Sequence, residues 1–406
     1  MSRTILCVPT TSSLYEDFVM NAFALPVLLL GLVADTGVET KFVDSGVTAR
    51  AGGYRPIRAE MKAETEGVTK APEGLTAAKY GKLELGGKSF LFILDEPAEG
   101  EAKLYVDTNG DGDLTNDEAA EWKSEKRGEF TQHNGGAKVD LGDGKIGAIK
   151  MYRFDPNDPA RAQLKETLLY YTDFGYEISF KLDDQPFSTF VSGAIADKTP
   201  LTIDRNGDGR ISAKREVARI GSPFNFTGTT YQLTFKDGSL SLDKAESELP
   251  MTPLPPNLAI GQKAIEFAAE DMQGNKIEFP KTFAGKVVML DFWATWCGPC
   301  IGEIPHMKEA YEAHHEKGFE ILGVSFDAAD MAEKVTSFTK EKEMPWAQIY
   351  EGKLWDTTLG ETYDVSGIPF VLLVDGDTGE ILATARELRG PGLKEFIGKI
   401  LEEKGK

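Results

Sequence analysis

Cys297 and Cys300 stand two residues apart in the string Trp296-Cys297-Gly298-Pro299-Cys300. At that spacing two thiols can close a small disulfide and open it again. Residues 286–292, Lys-Val-Val-Met-Leu-Asp-Phe, have the character of a buried strand, and residues 301–307 read as the start of a helix. A strand, a tight turn and a helix put the first thiol at a helix N-terminus. The macrodipole and free backbone N–H groups there favour the thiolate, and the thiolate is the form that attacks disulfides. A zinc site would need further ligands at suitable spacing, and His133, His306, His314 and His315 do not supply them. The remaining cysteine, Cys7, falls in a segment read below as a targeting sequence, so no thiol is left for a separate structural disulfide.

Several residues around this pair resemble the thioredoxin superfamily, and in particular its TlpA/ResA-type extracytoplasmic thiol-disulfide oxidoreductases. Trp-Cys-Gly-Pro-Cys is the thioredoxin active-site string. Asp291 lies six residues before Cys297, where thioredoxins have a buried proton-transfer carboxylate. Glu303 lies six after Cys297, where ResA-like proteins carry a glutamate, and Pro305 stands where the family kinks its helix. Gly367-Ile368-Pro369-Phe370 precedes the apolar run 371–374, where the family has its cis-proline. The resemblance covers about residues 258–406. It implies an α/β thioredoxin-like domain in which Cys297 attacks a substrate disulfide and Cys300 resolves the mixed disulfide. It also implies that Asp291, with Glu303, moves the proton of Cys300, and that the backbone of Ile368 before Pro369 pairs with the substrate chain. Trp296 is expected to cover the thiols, although an aromatic there could equally be packing.

A second kind of chemistry is written in two acidic loops. Asp107, Asn109, Asp111, the backbone of Asp113, and Glu118 fall at positions 1, 3, 5, 7 and 12 of a calcium loop, with Gly112 at the sharp turn. Calcium takes six to eight hard oxygens, and this spacing wraps them around one point. The second loop offers Asp204, Asn206, Asp208 and the Arg210 carbonyl, with Gly209 at the turn. Its twelfth position is Arg215, with Glu216 one place late, which puts closure around a cation at 204–216 in doubt. Both loops follow strands, so structural calcium bracing a β domain is expected rather than a helix pair that opens.

The chain that carries these motifs divides into four parts. Residues 1–34 hold a short apolar run that fits a signal or targeting segment better than a membrane span, which needs about 20 residues. The flanks are poor, with Arg3 the one basic residue before Glu16 and Asp17. Residues 35–245 read as a mostly β region, with apolar runs broken by Asp-Gly and Gly-Gly turns. Within it, residues 80–144 and 176–238 share an order of strand pair, acidic loop and hairpin, as a tandem repeat would. Residues 246–257 form a Pro-rich linker, either a stiff spacer or an arm packed on one domain. Residues 258–406 alternate strand and helix. Strands are expected at 287–292, 319–326 and 370–375, and helices at 332–342 and 393–404.

The formal net charge of −20 argues against nucleic acid and anionic membrane surfaces as partners. A peroxidase is disfavoured, because the active thiol Cys297 has a CxxC partner and no Thr three residues before it, where a peroxidatic Thr-x-x-Cys string would place one. The expectation is a periplasmic or cell-envelope reductase of protein disulfides. It would need no cofactor for its redox chemistry and would be recharged by a membrane thiol carrier. A disulfide oxidase or isomerase is the rival enzyme. A calcium-braced surface binding module carrying a redox domain is the rival of another class.

Overall fold

The computed structural model describes residues 37–405 except 119, 128, 129 and 386, together with the backbone alone of Arg127. The targeting segment expected at 1–34 lies outside them. Among the described residues no helix is long and apolar enough to cross a membrane.

The N-terminal region is built almost wholly of strands, because its short alternating apolar runs end in Gly- and Asp-containing turns. One core lies between a five-stranded and a three-stranded antiparallel sheet. The larger has the order Ile57–Glu60, Thr167–Thr172, Lys145–Arg153, Phe130–Gly142, Glu121–Arg127. The smaller is Ala78–Leu85, Lys88–Asp95, Lys103–Val106. Leu83, Phe90, Phe92, Val139, Ile149 and Leu168 fill the space between them. A second core gathers around the hairpins Gly175–Leu182/Gln185–Ser192 and Tyr231–Lys236/Ser239–Lys244, with Ile178, Leu182, Leu201, Ile220 and Leu233 inside. Hairpin, short strand, acidic loop and hairpin follow one another in both halves. The halves still interlock, since Val38–Val43 pairs with Gly175–Leu182 of the second.

The C-terminal domain is a five-stranded sheet of order Ala347–Tyr350, Phe319–Ser325, Val287–Trp293, Phe370–Asp375, Ile381–Thr384. The first three strands run parallel and the last two antiparallel to their neighbours. All seven residues of Val287–Trp293 are buried, as a central strand covered on both faces requires. Each fully buried apolar side chain there contributes about 1.5–3 kcal/mol, which fixes the base of the turn that follows. Helices Gly298–His314, Ala332–Glu341 and Leu393–Glu403 cover the sheet. The expected strands and helices are all present, within a residue at each end. The edge strands Ala347–Tyr350 and Ile381–Thr384 and the hairpin Phe267–Glu270/Lys276–Phe279 are additional. They are four residues each, too short to show a period.

Candidate active site

The central strand ends at Trp293, and four residues later the helix Gly298–His314 begins. Cys297 is its N-cap, and the Cys300 N–H donates to Cys297 Sγ at 3.2 Å. Pro299 sits in the first turn, where its missing N–H costs nothing. Cys297 and Cys300 are joined as a disulfide and are 95% buried. Cys300, Ile304, Met307 and Ala310 form the buried stripe of the helix, so the second sulfur belongs to the core face. The turn before the helix is braced by a carboxylate the sequence did not single out. Asp327 accepts hydrogen bonds from the Thr295 N–H (3.1 Å), the Thr295 hydroxyl (2.6 Å) and the Ser325 hydroxyl (2.8 Å), all buried. No local motif marks it, because Asp327 lies beyond the end of the neighbouring strand and meets Thr295 only through sheet pairing.

Asp291 lies in the central strand, register-paired with Gly323 on one side and Val371 on the other. It is buried, and burial pushes its carboxyl up to about 7, with the charge of Glu303 adding to the rise. Glu303 is half-buried. Its Oε2 accepts the Gly390 N–H at 2.7 Å, and its Oε1 lies 3.4 Å from Arg389 Nε. Those two partners stand far along the chain and carry no sequence signal of their own. The Ile368–Pro369 peptide bond is cis. A second cis bond, Phe279–Pro280, lies outside the CxxC and cis-Pro369 motifs. Trp296 is 47% exposed, donates its Nε1–H to the Phe326 carbonyl (3.2 Å) and meets the Trp355 ring at 5.9 Å. Its contacts are therefore with Phe326 and Trp355, and an exposed aromatic pair flanks the dithiol turn.

With this geometry in place, known proteins offer a comparison. A family model described as "AhpC/TSA family" matches residues 260–385. The thiol-disulfide oxidoreductase ResA of Bacillus thuringiensis subsp. konkukian is 36% identical over 148 residues, which cover 36% of this chain and 79% of that protein. The chain belongs to the ResA-type thiol-disulfide oxidoreductases of the thioredoxin superfamily. Tryparedoxin of Trypanosoma brucei brucei is 35% identical over 111 residues, 27% of this chain and 74% of the relative. Among solved structures, the thioredoxin domain of a thiol-disulfide oxidoreductase from Bacteroides vulgatus is 34% identical. It covers 36% of this chain and 99% of its own, with a TM-score of 0.32. The family model falls in the C-terminal third, and ResA matches little more than a third of the chain, so the ResA-type assignment is carried by the C-terminal domain.

The acidic loops lie outside the ResA-like part. In the first, the buried Asp107 accepts the N–H groups of Gly110, Asp111 and Gly112 at 2.8–3.1 Å. Asn109 Oδ1 accepts the Asp111 N–H, and Asp111 Oδ1 accepts the Asp113 N–H. Gly112 has a φ of +82°, and a Cβ there would come within 2.4 Å of the Gly67 carbonyl oxygen. The twelfth residue, Glu118, is exposed. Asp117 closes the loop instead, through the Thr108 N–H and hydroxyl.

The second loop departs further from a cation cradle. Asp204 repeats the role of Asp107 toward Gly207, Asp208 and Gly209. The Asn206 amide, however, donates to the Pro255 and Pro256 carbonyls, and Asp208 Oδ2 accepts the Leu258 N–H. Glu216 is buried and accepts the N–H groups of Arg205 (2.7 Å) and Ser212 (2.8 Å). Burial raises its carboxyl, and those backbone bonds oppose the rise. The side chains expected to hold calcium at 204–216 are thus spent on backbone and linker. Among the described residues no three His, Cys, Asp or Glu side chains cluster as a metal site.

The linker is correspondingly an arm rather than a free spacer. Arg205 donates to the Thr252, Pro253 and Phe226 carbonyls, and Arg215 to that of Leu254. Four prolines leave these carbonyls without intramolecular strand partners, so arginines from the loop serve them.

Proposed function

We propose that the protein is a reductase of protein disulfides working outside the cytoplasm. In the first step the Cys297 thiolate attacks one sulfur of a substrate disulfide. The Cys297–substrate bond forms as the substrate S–S bond breaks, and the first substrate sulfur leaves as a thiolate that takes up a proton. Cys300 then gives its proton to Asp291 and attacks Cys297 Sγ. The Cys297–Cys300 disulfide forms, the second substrate thiolate departs, and the substrate has gained the two electrons that the dithiol lost. Ile368, before the cis-proline, pairs with the substrate chain, and Trp296 with Trp355 gives an apolar rim for it.

What supports this reading above all is a buried carboxyl brought to about 7 in the strand beneath a helix-capping thiol, a value that suits proton exchange at neutral pH. Gly298-Pro299 between the cysteines supports the reducing direction. The relatives named ResA support protein disulfides as substrates and an extracytoplasmic site, and a membrane thiol carrier is the class of donor that would recharge the dithiol there. In the same proposal, calcium is confined to 107–118. Arg215 at the twelfth position and the arginines around 204–216 disfavour a cation in the second loop.

The test is the midpoint potential of the Cys297–Cys300 couple together with reduction of insulin by dithiothreitol. The potential should fall well below the roughly −120 mV of a strong disulfide oxidant, and Cys297→Ser should abolish turnover. A potential near that of the oxidant would assign the protein to disulfide formation instead.

A further inference from the structure

Two arginines of the second acidic loop reach the redox domain at residues that bracket the cis-proline. Arg215 Nε lies 3.4 Å from Asp364 Oδ1, an ion pair whose acid is buried. The Arg210 guanidinium lies over the Phe370 ring, 4.5 Å from its centroid. Between Asp364 and Phe370 run Val365, Ser366, Gly367, Ile368 and Pro369, of which Ser366 and Gly367 are exposed. Asp364 enters this segment with a φ of +51°, a left-handed conformation that aspartate tolerates better than most residues. Phe370 leaves it by packing edge-on against Phe292 of the central strand at 5.3 Å.

The loop that presents the arginines is itself fixed. Glu216 ties Arg205 to Ser212, Asp208 Oδ1 holds the Arg210 N–H, and Asp208 Oδ2 holds the N–H of Leu258, the buried first residue of the redox core. Arg210 is drawn into the joint far enough that burial lowers its guanidinium below the usual value, against the charges of Asp208, Asp364 and Glu216.

We infer that Arg210 and Arg215 of the N-terminal β region are positioning residues for disulfide reduction, clamping both ends of the segment 365–369 so that the backbone of Ile368 is held ready to receive an extended substrate chain. This rests on the proposed reductase function and adds a role for the β region. The region acts on how tightly a polypeptide is held beside the dithiol and leaves the sulfur chemistry alone. A part-buried ion pair and a cation over an aromatic ring are each modest interactions, and together they suffice to hold a short segment in register.

The experiment uses the full chain with Arg210→Ala/Arg215→Ala, its counterpart Arg210→Lys/Arg215→Lys, and Asp364→Asn. Insulin serves as the polypeptide disulfide and 2,2′-dithiodipyridine as a small uncharged one. The double alanine variant should raise KM for insulin roughly three- to tenfold, equivalent to about 1 kcal/mol. Its kcat for dithiodipyridine and its Cys297–Cys300 midpoint potential should stay at the parent values. The lysine pair, which keeps both charges, should recover much of the loss, and Asp364→Asn should give a smaller rise. An unchanged insulin KM in any folded variant lacking the ion pair overturns the inference. So does a potential that moves together with KM, since that would place the effect on the sulfurs. Failure of the parent protein to reduce insulin would instead sink the reductase reading beneath it.

Discussion

Asp291 in the redox domain and Glu216 in the second acidic loop are both buried carboxylates, and burial pushes both upward. Their surroundings then diverge. Glu216 is caught by two backbone N–H groups, which favour the charged form and turn the acid into a staple for its loop. Asp291 meets the negative field of Glu303, which disfavours the charged form further. The same desolvation thus gives a structural acid where donors answer it and a chemical one where a like charge does. Glu118, exposed in the first acidic loop, belongs to neither class, although its spacing in the sequence looked the more functional.

The largest effects expected from breaking this contrast belong to Asp291. Between an ordinary 3.8 and a folded value of about 7 lies about 4 kcal/mol. Because the folded value is raised, the stabilisation is complete below pH 4 and is lost as pH rises toward 7. Urea unfolding of the oxidised parent should show that decline, and Asp291→Asn should lack it. The same variant should lower insulin turnover roughly 100-fold and flatten the limb that rises with pH near 7. A pH-independent difference in stability between parent and variant would return Asp291 to a structural role.

Glu216 sharpens the comparison from the other side. Glu216→Ala leaves the buried N–H groups of Arg205 and Ser212 without acceptors, at a cost of about 2–4 kcal/mol. Thermal melting should register it, with the midpoint potential of the dithiol unchanged. A drop below 0.5 kcal/mol, which is the surface value, would show that the loop does not depend on its staple.

The smallest effect concerns the first acidic loop. After chelation, adding calcium should raise the melting temperature by an amount equivalent to about 1–3 kcal/mol near saturation, and Asp111→Asn should remove the rise. Glu118→Ala should be nearly neutral without calcium, within about 0.5 kcal/mol, yet should weaken the response to it. No response in the parent would leave 107–118 a turn held by its own hydrogen bonds.

Much of the redox domain could be read along the chain. Residues 287–292 are uniformly apolar except for Asp291, and the amphipathic period of 393–404 is long enough to declare a helix. The dithiol string and the Gly-Ile-Pro before residues 370–375 lie in order along the sequence. The short edge strands carry no such mark, because four residues cannot establish a period, and their pairing comes from neighbours supplied by the sheet. In the acidic loops the spacing located the turns correctly, since Asx-type acceptors and glycines act within five residues. It could not say that Glu216 folds inward and Glu118 outward. That depends on what surrounds each acid: Glu216 turns to the N–H groups of Arg205 and Ser212, while Glu118 stays exposed to solvent.

The sequence alone therefore determined the chemistry available: two thiols one helical turn apart, a carboxylate in the strand just before them, and a Gly-Ile-Pro string further along that carries its own mark. Tertiary structure decided what those groups experience. It set the proton affinity of Asp291 by removing water from around it, and it brought Asp327 to Thr295 and Arg389 to Glu303 across long separations. It also carried Arg210 and Arg215 from the β region to the cis-proline segment. Burial and the company of distant charges follow from how surfaces meet, and no spacing along a single strand of residues encodes that directly.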